Sequence, residues 1–419
     1  MIKLIILADD FTGALDTAIK FSKRGIKTCV VNIDFNLEEI NNHVEVLAIN
    51  LETRHLKSEK AYQRIKDVIT LFQKKDIYIY KKTDSVLRGN VGIELQALLD
   101  YTQNKFLPFI PAYPKLNRYT IQGIQYLGDV PIHESIVAND PIEPIRNSSV
   151  IQIIKETSNV NTYYVNQTMV REVFESYLPK DKTIAVFDSA TQDDIKYLAK
   201  QIVNKNIKIM AGCAALASEL AKLIDFSINK ERFKINLSKL IIICGSVNPV
   251  TKLQIIDAEQ RGFYRISLSG EQILSDSYFA RSESIGLVEQ INHMIAMKNK
   301  VIIDTISQDC RQLNKSGEEI GSLIADNLGI LVEKIMHENK ECTMMITGGD
   351  TLLGVIKKAG IKEVYPLAEL TEGVVYSYFY YRERVFSIIS KSGGFGNENL
   401  FTEISELVEN QYYQRMKPC

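Results

Sequence analysis

The sequence predicts an α/β protein of two domains, each a mostly parallel sheet flanked by helices. The first observation is a recurring pattern in which a short apolar run is followed by a polar loop and a segment of helical periodicity. The second is that these apolar runs are continuous, as in strands that are buried on both faces. The third is the length of 419 residues, which exceeds what one ordinary core accommodates.

The first occurrence of this pattern lies at the N-terminus. Residues 3–8 (KLIILA) form the apolar run, and residues 9–13 (DDFTG) form the loop before a helical segment. Ligands of such sheets bind at the loops that leave the carboxyl ends of the strands. The pattern recurs at residues 45–54, 77–85, 184–191, 207–214, 239–249, 301–308 and 343–351.

A polar stretch separates the two predicted domains. Residues 224–238 (IDFSINKERFKINLS) are rich in lysine and asparagine and show weak periodicity, as is typical of a linker. We therefore expect an N-terminal domain of residues 1–225 and a C-terminal domain of residues 238–419. Residues 105–150 contain many prolines and form a long irregular segment, which in a compact domain indicates a functional loop.

The charge balance excludes several classes of partner. The chain has 50 Lys and Arg against 51 Asp and Glu, so it lacks the basic excess expected for nucleic acid or an anionic membrane. The opening apolar run is too short for a signal peptide, and we expect a cytoplasmic protein. The six cysteines are scattered without a CxxC pair, which favours reduced thiols, and we name no metal-ligating residues.

The loop after the first apolar run carries two adjacent carboxylates. Asp9 and Asp10 would lie at the carboxyl end of a strand, where such a pair can hold a sugar hydroxyl or coordinate Mg²⁺. The alternative is that one of them only caps the following helix together with Thr12. We favour the functional interpretation.

The most polar strand-to-helix junction lies at residues 81–90 (KKTDSVLRGN). Its two lysines, one arginine, hydroxyl pair and carboxylate could clamp an anionic substrate, and Arg88 could do so with two parallel hydrogen bonds. A solvated surface loop is the alternative, and the residue types alone do not decide between them.

Three glycine-containing loops follow strands in the C-terminal half. They are Gly245-Ser246, residues 347–351 (TGGDT) and residues 392–396 (SGGFG). Glycine lets a backbone approach phosphate, and a helix N-terminus offers N–H donors and a positive dipole end. Together the three loops indicate a nucleotide. The P-loop pattern GxxxxGK[ST] and the HRD and DFG motifs of protein kinases are absent, and so is a dinucleotide-binding GxGxxG.

Read together, these loops give the chain a resemblance to the four-carbon acid sugar kinase family, whose members phosphorylate threonate, erythronate and 3-oxo-tetronate. The resemblance spans nearly the whole chain. Phe11 and the pair Leu116-Asn117 depart from the usual family pattern, and these departures bear on substrate choice rather than on the reaction. The matching stretches are ADDFTGALDTA (8–18), NLETR (50–54), residues 81–95, 111–135 and 138–150, GSVNPVTKLQ (245–254), TGGDT (347–351) and KSGGFG (391–396).

The resemblance implies an N-terminal sugar-binding domain and a C-terminal nucleotide-binding domain. It implies transfer of the γ-phosphoryl group of ATP, with Mg²⁺, to the terminal hydroxyl of a four-carbon acid sugar. Asp10 and Asp84 are the candidates for the carboxylate near that hydroxyl, and the choice between them stays open. The implied substrate contacts are Asp9, Arg54, Lys82, Thr83, Ser85, Arg88 and Arg118. The implied ATP contacts are Ser246, Gly348, Gly349, Asp350, Thr351, Gly393, Gly394 and Gly396.

Two other functions stay open at this point. One is an NAD(P)-dependent dehydrogenase of the same acid sugars, which the missing dinucleotide motif disfavours. The other is a non-catalytic protein that binds sugar acids. The only partner we expect is the small-molecule acid sugar, and a homo-oligomer is compatible with the sequence.

Overall fold

The chain divides into two compact units, Met1–Asn229 and Lys230–Cys419. The structure is a computed structural model, and it describes residues 1–73, 75–139, 144–176, 179–229, 239–245, 248–305, 317–339 and 342–409. Most of the predicted linker therefore lies outside the described residues. Each unit is built from mostly parallel strands with flanking helices, which confirms the predicted fold class.

The first unit contains eleven described strands and seven described α-helices. The strands are β1 (Leu4–Ala8), β2 (Thr28–Asn32), β3 (Val46–Asn50), β4 (Tyr78–Lys82), β5 (Phe106–Ile110), β6 (Arg118–Ile121), β7 (Ile124–Leu127), β8 (Val130–Pro131), β9 (Asn161–Val165), β10 (Thr183–Phe187) and β11 (Ile209–Gly212). The helices are α1 (Phe11–Ser22), α2 (Ser58–Phe72), α3 (Val91–Tyr101), α4 (Val150–Lys155), α5 (Val170–Ser176), α6 (Gln192–Asn204) and α7 (Ala214–Leu223).

The main sheet of the first unit has the strand order β2-β3-β1-β4-β11-β5-β10-β9. Every neighbouring pair in this order is parallel. Strands β1, β2 and β3 are buried at every residue, because helices cover both faces of a parallel sheet and leave no face for polar side chains. This burial explains why their sequences (LIILA, TCVVN and VLAIN) are nearly uninterrupted apolar runs.

The proline-rich segment folds as a small antiparallel sheet of β6, β7 and β8. Gln122 and Gly123 form the β6–β7 turn, and both have positive φ (53° and 71°), as a type I′ hairpin turn requires. Asp188, at the end of β10, accepts hydrogen bonds from both turn amides at 2.8 and 2.9 Å. The hairpin is thereby tied to the carboxyl edge of the main sheet.

The second unit contains seven described strands and six described α-helices. The strands are β12 (Leu240–Cys244), β13 (Tyr264–Ser267), β14 (Lys300–Asp304), β15 (Thr343–Thr347), β16 (Glu363–Thr371), β17 (Val374–Tyr381) and β18 (Arg384–Lys391). The helices are α8 (Pro249–Gln260), α9 (Gly270–Leu274), α10 (Ile285–Met297), α11 (Gly317–Glu338), α12 (Gly349–Lys358) and α13 (Leu400–Glu409).

The strand order in the second unit is β13-β14-β12-β15-β18-β17-β16. The strands from β13 to β18 in this order pair in parallel, whereas β16, β17 and β18 form an antiparallel meander. A two-residue turn at Arg382 and Glu383 joins β17 to β18, and both residues have positive φ. The hydrophobic core of this unit includes Ile242, Met345 and Phe401.

Among the described residues, no helix is both long enough and apolar enough to cross a membrane.

Close packing of α11 on α12 depends on glycine. A β-carbon added at Gly354 of α12 would lie 2.2 Å from the Ala325 carbonyl oxygen of α11. We expect Gly354→Ala to lower the free energy of unfolding by about 1–3 kcal/mol, because this contact forces the helices apart. Gly321→Ala on α11 is the control, since a β-carbon there meets nothing within 4 Å. Urea unfolding measures both, and an unchanged Gly354→Ala stability would contradict the close crossing.

Candidate functional site

Four residues lie side by side at the carboxyl edge of the first sheet. Ala8 of β1 pairs with Asn50 of β3 and with Lys82 of β4, and Lys82 pairs with Gly212 of β11. The loops that leave these strands therefore begin next to one another. They contain the acidic pair, the residues up to Arg54 and the charged loop at 83–88.

Arg54 is the centre of this cluster. Its Nε donates to Asp9 Oδ2 and its Nη1 donates to Asp10 Oδ2, each at 2.8 Å. Its Nη2 lies 3.7 Å from Asp84 Oδ1, and its side chain is only 12% exposed. The backbone amides of Thr53 and Arg54 also donate to the Asp9 carbonyl, at 3.1 and 3.3 Å. One guanidinium thus joins carboxylates from two different loops.

Asp84 is held by Arg88 in a bidentate pair. Arg88 Nε donates to Asp84 Oδ2 at 2.9 Å, and Nη2 donates to Oδ1 at 3.1 Å. Burial alone would raise the pKa of Asp84, but Arg88 and Arg54 outweigh it and hold the pKa well below its usual range. The carboxylate is therefore ionised at neutral pH.

Asp10 has two roles in the structure. Its side chain caps α1 by accepting from the Gly13 amide at 2.8 Å, and it also accepts from the Thr12 hydroxyl at 2.8 Å. The same carboxylate pairs with Arg54. The capping interpretation and membership in the charged cluster therefore describe the same residue.

Lys82 lies against the first turn of α1. A β-carbon at Gly13 would lie 3.1 Å from Lys82 Nζ and 2.5 Å from Asp10 Oδ1, so glycine leaves the room that these charged groups occupy. Burial opposes the charge of Lys82, but Cys213 and the carboxylates of Asp9 and Asp10 raise its pKa above the usual value. The ammonium is charged at the base of the cluster.

A second buried network lies beside the first. Lys81 Nζ is 3.1 Å from Glu94 Oε2 of α3, and both side chains are almost fully buried. Glu94 also accepts a hydrogen bond from the Thr53 hydroxyl, one residue before Arg54. This network links the loop that carries Arg54 to helix α3.

Two buried polar atoms of the cluster have no hydrogen-bond partner within the described part of the chain. They are Asp9 Oδ1 and Thr83 Oγ1, on residues that are 2% and 1% exposed. An unsatisfied buried polar atom costs about 1–3 kcal/mol, and more when it is charged. Burial raises the pKa of Asp9, but Arg54, Lys81 and Lys82 outweigh burial and lower it. The unpaired Oδ1 is therefore an atom of an ionised carboxylate.

The β6–β7 hairpin contributes to the same edge. Arg118 begins β6, and its Nη1 donates to the Leu116 carbonyl. Burial lowers the pKa of Arg118, while Asp84 opposes this shift, so the guanidinium lies within electrostatic range of the cluster. Buried Gln125 of β7 donates to the Ser85 carbonyl at 3.0 Å and accepts from the Thr120 hydroxyl at 2.7 Å. The hairpin thereby fixes the charged loop.

In the second unit the glycine-containing loops also leave neighbouring strands. Thr347 of β15 pairs with Cys244 of β12 and with Lys391 of β18, so the loops that follow start in one row. Gly348 has a φ of 105° and caps α12, whose first turn contains Gly349, Asp350 and Thr351. The predicted contact Ser246 lies outside the described residues.

The first two of these loops approach each other closely. A β-carbon at Gly245 would lie 2.1 Å from Thr351 Oγ1, so only glycine permits this contact. Gly393, Gly394 and Gly396 follow β18, and a β-carbon at Gly394 would lie 3.4 Å from Asn248 at the start of α8. The structure therefore places the described glycines of all three loops at one edge of the sheet of this unit.

Several residues that build these edges were not singled out from the sequence. Gly13, Glu94 and Gln125 lie within recognised stretches, but only their contacts reveal what they do. Asp188 lies in the DSAT segment after a predicted strand, which placed it at the correct edge. A lone Gln or Glu carries no signal of its own, because its role depends on which distant loop it meets.

Two family models match this two-unit α/β chain with its charged edge. One, described as a sugar-binding N-terminal domain, matches residues 4–220. The other, described as a nucleotide-binding C-terminal domain, matches residues 241–401. The first alone spans more than half of the chain.

Curated relatives match along nearly the full length. A D-threonate kinase of Salmonella typhimurium is 25% identical, and the match covers 98% of this chain and 99% of the relative. A D-erythronate kinase of Heliobacterium modesticaldum is 24% identical, and the match covers 88% of this chain and 89% of the relative. A 3-oxo-tetronate kinase of Haemophilus influenzae is 23% identical and covers 94% and 97%. The chain belongs to the four-carbon acid sugar kinase family.

Solved structures share the fold. A Haemophilus influenzae protein matches with a TM-score of 0.71 at 21% identity, covering 96% of this chain and all of that one. A Salmonella typhimurium protein matches with a TM-score of 0.78 at 18% identity, and the match covers 97% of this chain and 100% of that one.

The pairing of Asp84 with Arg88 has a consequence for acid stability. A depressed carboxyl pKa stabilises the fold fully above the unfolded pKa of about 3.9, and this stabilisation is lost as the pH falls through the folded pKa. Arg88→Met should therefore lower the free energy of unfolding by about 1–3 kcal/mol at pH 7. The difference from wild type should shrink as the pH falls through the Asp84 pKa of the variant, which lies above that of wild type.

Urea unfolding between pH 3 and 7 measures this dependence. The control is Arg171→Met, which removes an exposed pair with Glu175 on α5 and should change little at either pH. An Arg88→Met variant that is as stable as wild type at pH 7 would show that the pair does not stabilise the fold.

Proposed function

We propose that this protein is an ATP-dependent kinase that phosphorylates the terminal hydroxyl of a four-carbon acid sugar, giving the 4-phosphate and ADP. The acid sugar is threonate, erythronate or 3-oxo-tetronate. The first unit holds the acid sugar and the second holds ATP. Membership of a family whose named relatives are kinases supports the reaction class.

The observation that carries the proposal is the buried charged cluster around Arg54. When Arg118 is counted, whose guanidinium lies within electrostatic range of Asp84, four cations face three carboxylates, which leaves one net positive charge for a monoanionic sugar acid. Guanidinium groups suit a planar carboxylate because they donate two parallel hydrogen bonds. The cations are Arg54, Lys82, Arg88 and Arg118, and the carboxylates are Asp9, Asp10 and Asp84.

The unpaired, buried Oδ1 of Asp9 supports a contact with the acceptor hydroxyl. Asp84 is hydrogen-bonded to Arg88, and Asp10 is hydrogen-bonded to the Gly13 amide and to Arg54. Asp9 Oδ1, in contrast, has no hydrogen-bond partner among the described residues. A hydroxyl of the substrate would satisfy this oxygen and would be oriented by it. The neighbouring Thr83 hydroxyl, also without a partner there, would meet a second polar group of the substrate.

The glycine-containing edge of the second unit fits a nucleotide. Gly348 gives the backbone a positive φ at the start of α12, where N–H groups and the helix dipole favour phosphate. Among the described residues there is no group of three or more His, Cys, Asp or Glu side chains that could hold a metal ion. Mg²⁺ bound with ATP needs only one or two carboxylates besides the phosphates, and Asp350 on this first turn would supply one.

The chemistry that this arrangement supports is mainly positioning. Phosphoryl transfer depends on alignment and on neutralising charge, and Mg²⁺ supplies part of that neutralisation when it is bound with ATP. The arginines fix the acid group of the sugar, Asp9 orients the acceptor hydroxyl, and Lys82 provides a permanent positive charge nearby.

A panel assay tests the reaction and separates it from the alternatives. The protein is incubated with ATP, Mg²⁺ and each of D- and L-threonate, D- and L-erythronate and the 3-oxo-tetronates, and ADP is measured. ADP formation with one of these acids is the expected result. Reduction of NAD(P)⁺ without ADP formation would indicate a dehydrogenase. Binding of an acid without either reaction would indicate a binding protein.

The role of Asp9 leads to a separate prediction. Asp9→Asn keeps the shape of the side chain but removes the charge that orients the hydroxyl, so we expect kcat to fall by about 10²–10⁴-fold. The affinity for ATP, measured by calorimetry without the sugar, should not change. Asp100→Asn is the control, because this carboxylate near the end of α3 accepts from Tyr62 and Lys182, which are not among the proposed substrate contacts. A wild-type kcat for Asp9→Asn would exclude the role.

A further inference from the structure

The loop after β18 turns its carbonyl oxygens toward helix α8. The Gly393 carbonyl accepts from Thr251 Oγ1 at 2.9 Å. Gln254 Nε2 donates to the Phe395 carbonyl at 3.1 Å and to the Asn397 carbonyl at 2.8 Å. Thr251 and Gln254 are both fully buried and lie three residues apart, on one face of α8. Alternate carbonyls of the loop are therefore held by one helix face.

This arrangement determines where the loop amides point. In a trans peptide the N–H of one residue is antiparallel to the carbonyl of the residue before it. The amides of Gly394 and Gly396 share peptide planes with the carbonyls of Gly393 and Phe395. Because those carbonyls face α8, these two N–H groups face the opposite side, where a run of backbone amides can bind an anion.

Lys391 is a third donor to the same loop. Its Nζ donates to the Gly393 carbonyl at 2.9 Å and to Thr251 Oγ1 at 3.3 Å, and its side chain is fully buried. In the described parts of the chain, no carboxylate is among the groups that influence the pKa of Lys391. A buried ammonium without a carboxylate is unfavourable unless an anion compensates it.

The groups that face Lys391 leave it the main titrating group of this site. Cys244 of β12 has a thiol pKa raised to about 12 by burial, and Phe401 of α13 has its ring 5.9 Å away. Thr251 of α8 and the loop carbonyl carry no charge. Burial lowers the pKa of Lys391 to about 8, so its charge changes near physiological pH.

We propose that Thr251, Gln254 and Lys391 are positioning residues that hold the Gly393–Asn397 loop with its amides turned toward the nucleotide phosphates. The inference rests on the proposed function, because it takes the anion at this loop to be the phosphates of ATP. Thr251 and Gln254 set the direction of the peptide planes. Lys391 adds a positive charge behind the loop, which strengthens the site for a polyanion when the amine is protonated.

The first experiment measures the Kd of ATP by calorimetry on the full-length protein. Thr251→Val is nearly isosteric and loses the donor, so the Kd should rise about fivefold, whereas Thr251→Ser keeps the donor and should bind almost as wild type. Gln254→Met loses two donors and should exceed the effect of Thr251→Val. The KM for ATP should rise with the Kd, while the KM for the acid sugar should stay unchanged.

The second experiment follows the Kd of ATP from pH 7 to pH 10. In wild type the affinity should fall as the pH rises above about 8, by up to about tenfold per pH unit, because the neutral amine no longer attracts the phosphates. Lys391→Met should bind more weakly at pH 7 and show no such fall. Lys391→Arg stays charged throughout and should also lose the pH dependence while keeping the affinity at pH 7.

The outcomes separate this inference from the proposed function. If wild type binds no ATP, the proposed function fails. If wild type binds ATP, and Thr251→Val, Gln254→Met and Lys391→Met bind it equally well, the positioning role is wrong while the kinase assignment stands. A purely structural role predicts equal effects of Thr251→Val and Thr251→Ser on the Kd and an unchanged pH profile for Lys391→Arg. Those results would overturn the inference.

Discussion

Arg54 determines how the carboxyl edge of the first sheet is built. Its side chain is 12% exposed and contacts Asp9 and Asp10 directly, with Asp84 at 3.7 Å. Removing carboxylates from water is costly unless a cation and hydrogen bonds compensate them, so acidic residues can gather here only around such a group. The guanidinium suits this position because its planar fork reaches carboxylates in two directions at once. The strand that delivers Arg54 must therefore lie beside the strand that delivers the aspartates, and β3 does pair with β1.

The sequence predicted the features that depend on short-range pattern. The apolar runs became buried parallel strands, and the polar loops became the loops at their carboxyl ends, because a strand covered on both faces leaves polar residues no other place. The sequence did not predict the antiparallel meander of the second unit. The β17–β18 turn has positive φ at Arg382 and Glu383, a conformation that Asn-Gly favours. The pairing of β17 with β18 imposes this turn, and the residues of the turn itself do not predict it.

The candidate site was predictable in residue types but not in partners. For the charged loop the residue types left an anion site and a solvated surface loop both open, and the structure gathers Asp9, Asp10, Arg54, Asp84 and Arg88. The sequence could not say that Arg88 would face Asp84, since a pair four residues apart in a loop has no fixed geometry. Nor could it separate the carboxylates by their hydrogen bonds, which depend on a helix cap and on a loop some forty residues away. The contact residues of a loop follow from topology, which a single sequence gives only in outline.

Under the proposed function the two units bind different anions, and their candidate sites differ as those two anions do. A small sugar acid carries one carboxylate and several hydroxyls, so its recognition needs side chains with fixed directions, and the first unit has arginines that are already paired with carboxylates. Pairing before binding keeps those guanidiniums in place and lowers the entropy that binding must remove. A triphosphate carries many equivalent oxygens, for which a row of backbone amides suffices. Amides have no charge of their own, so their direction must be set by neighbours, and Thr251 and Gln254 supply the donors that turn the loop. In the first unit, removal of one charged side chain would leave its buried partners without a compensating charge. In the second unit, removing a single donor should weaken anion binding only in part, because the adjacent peptide plane is still held by the next donor.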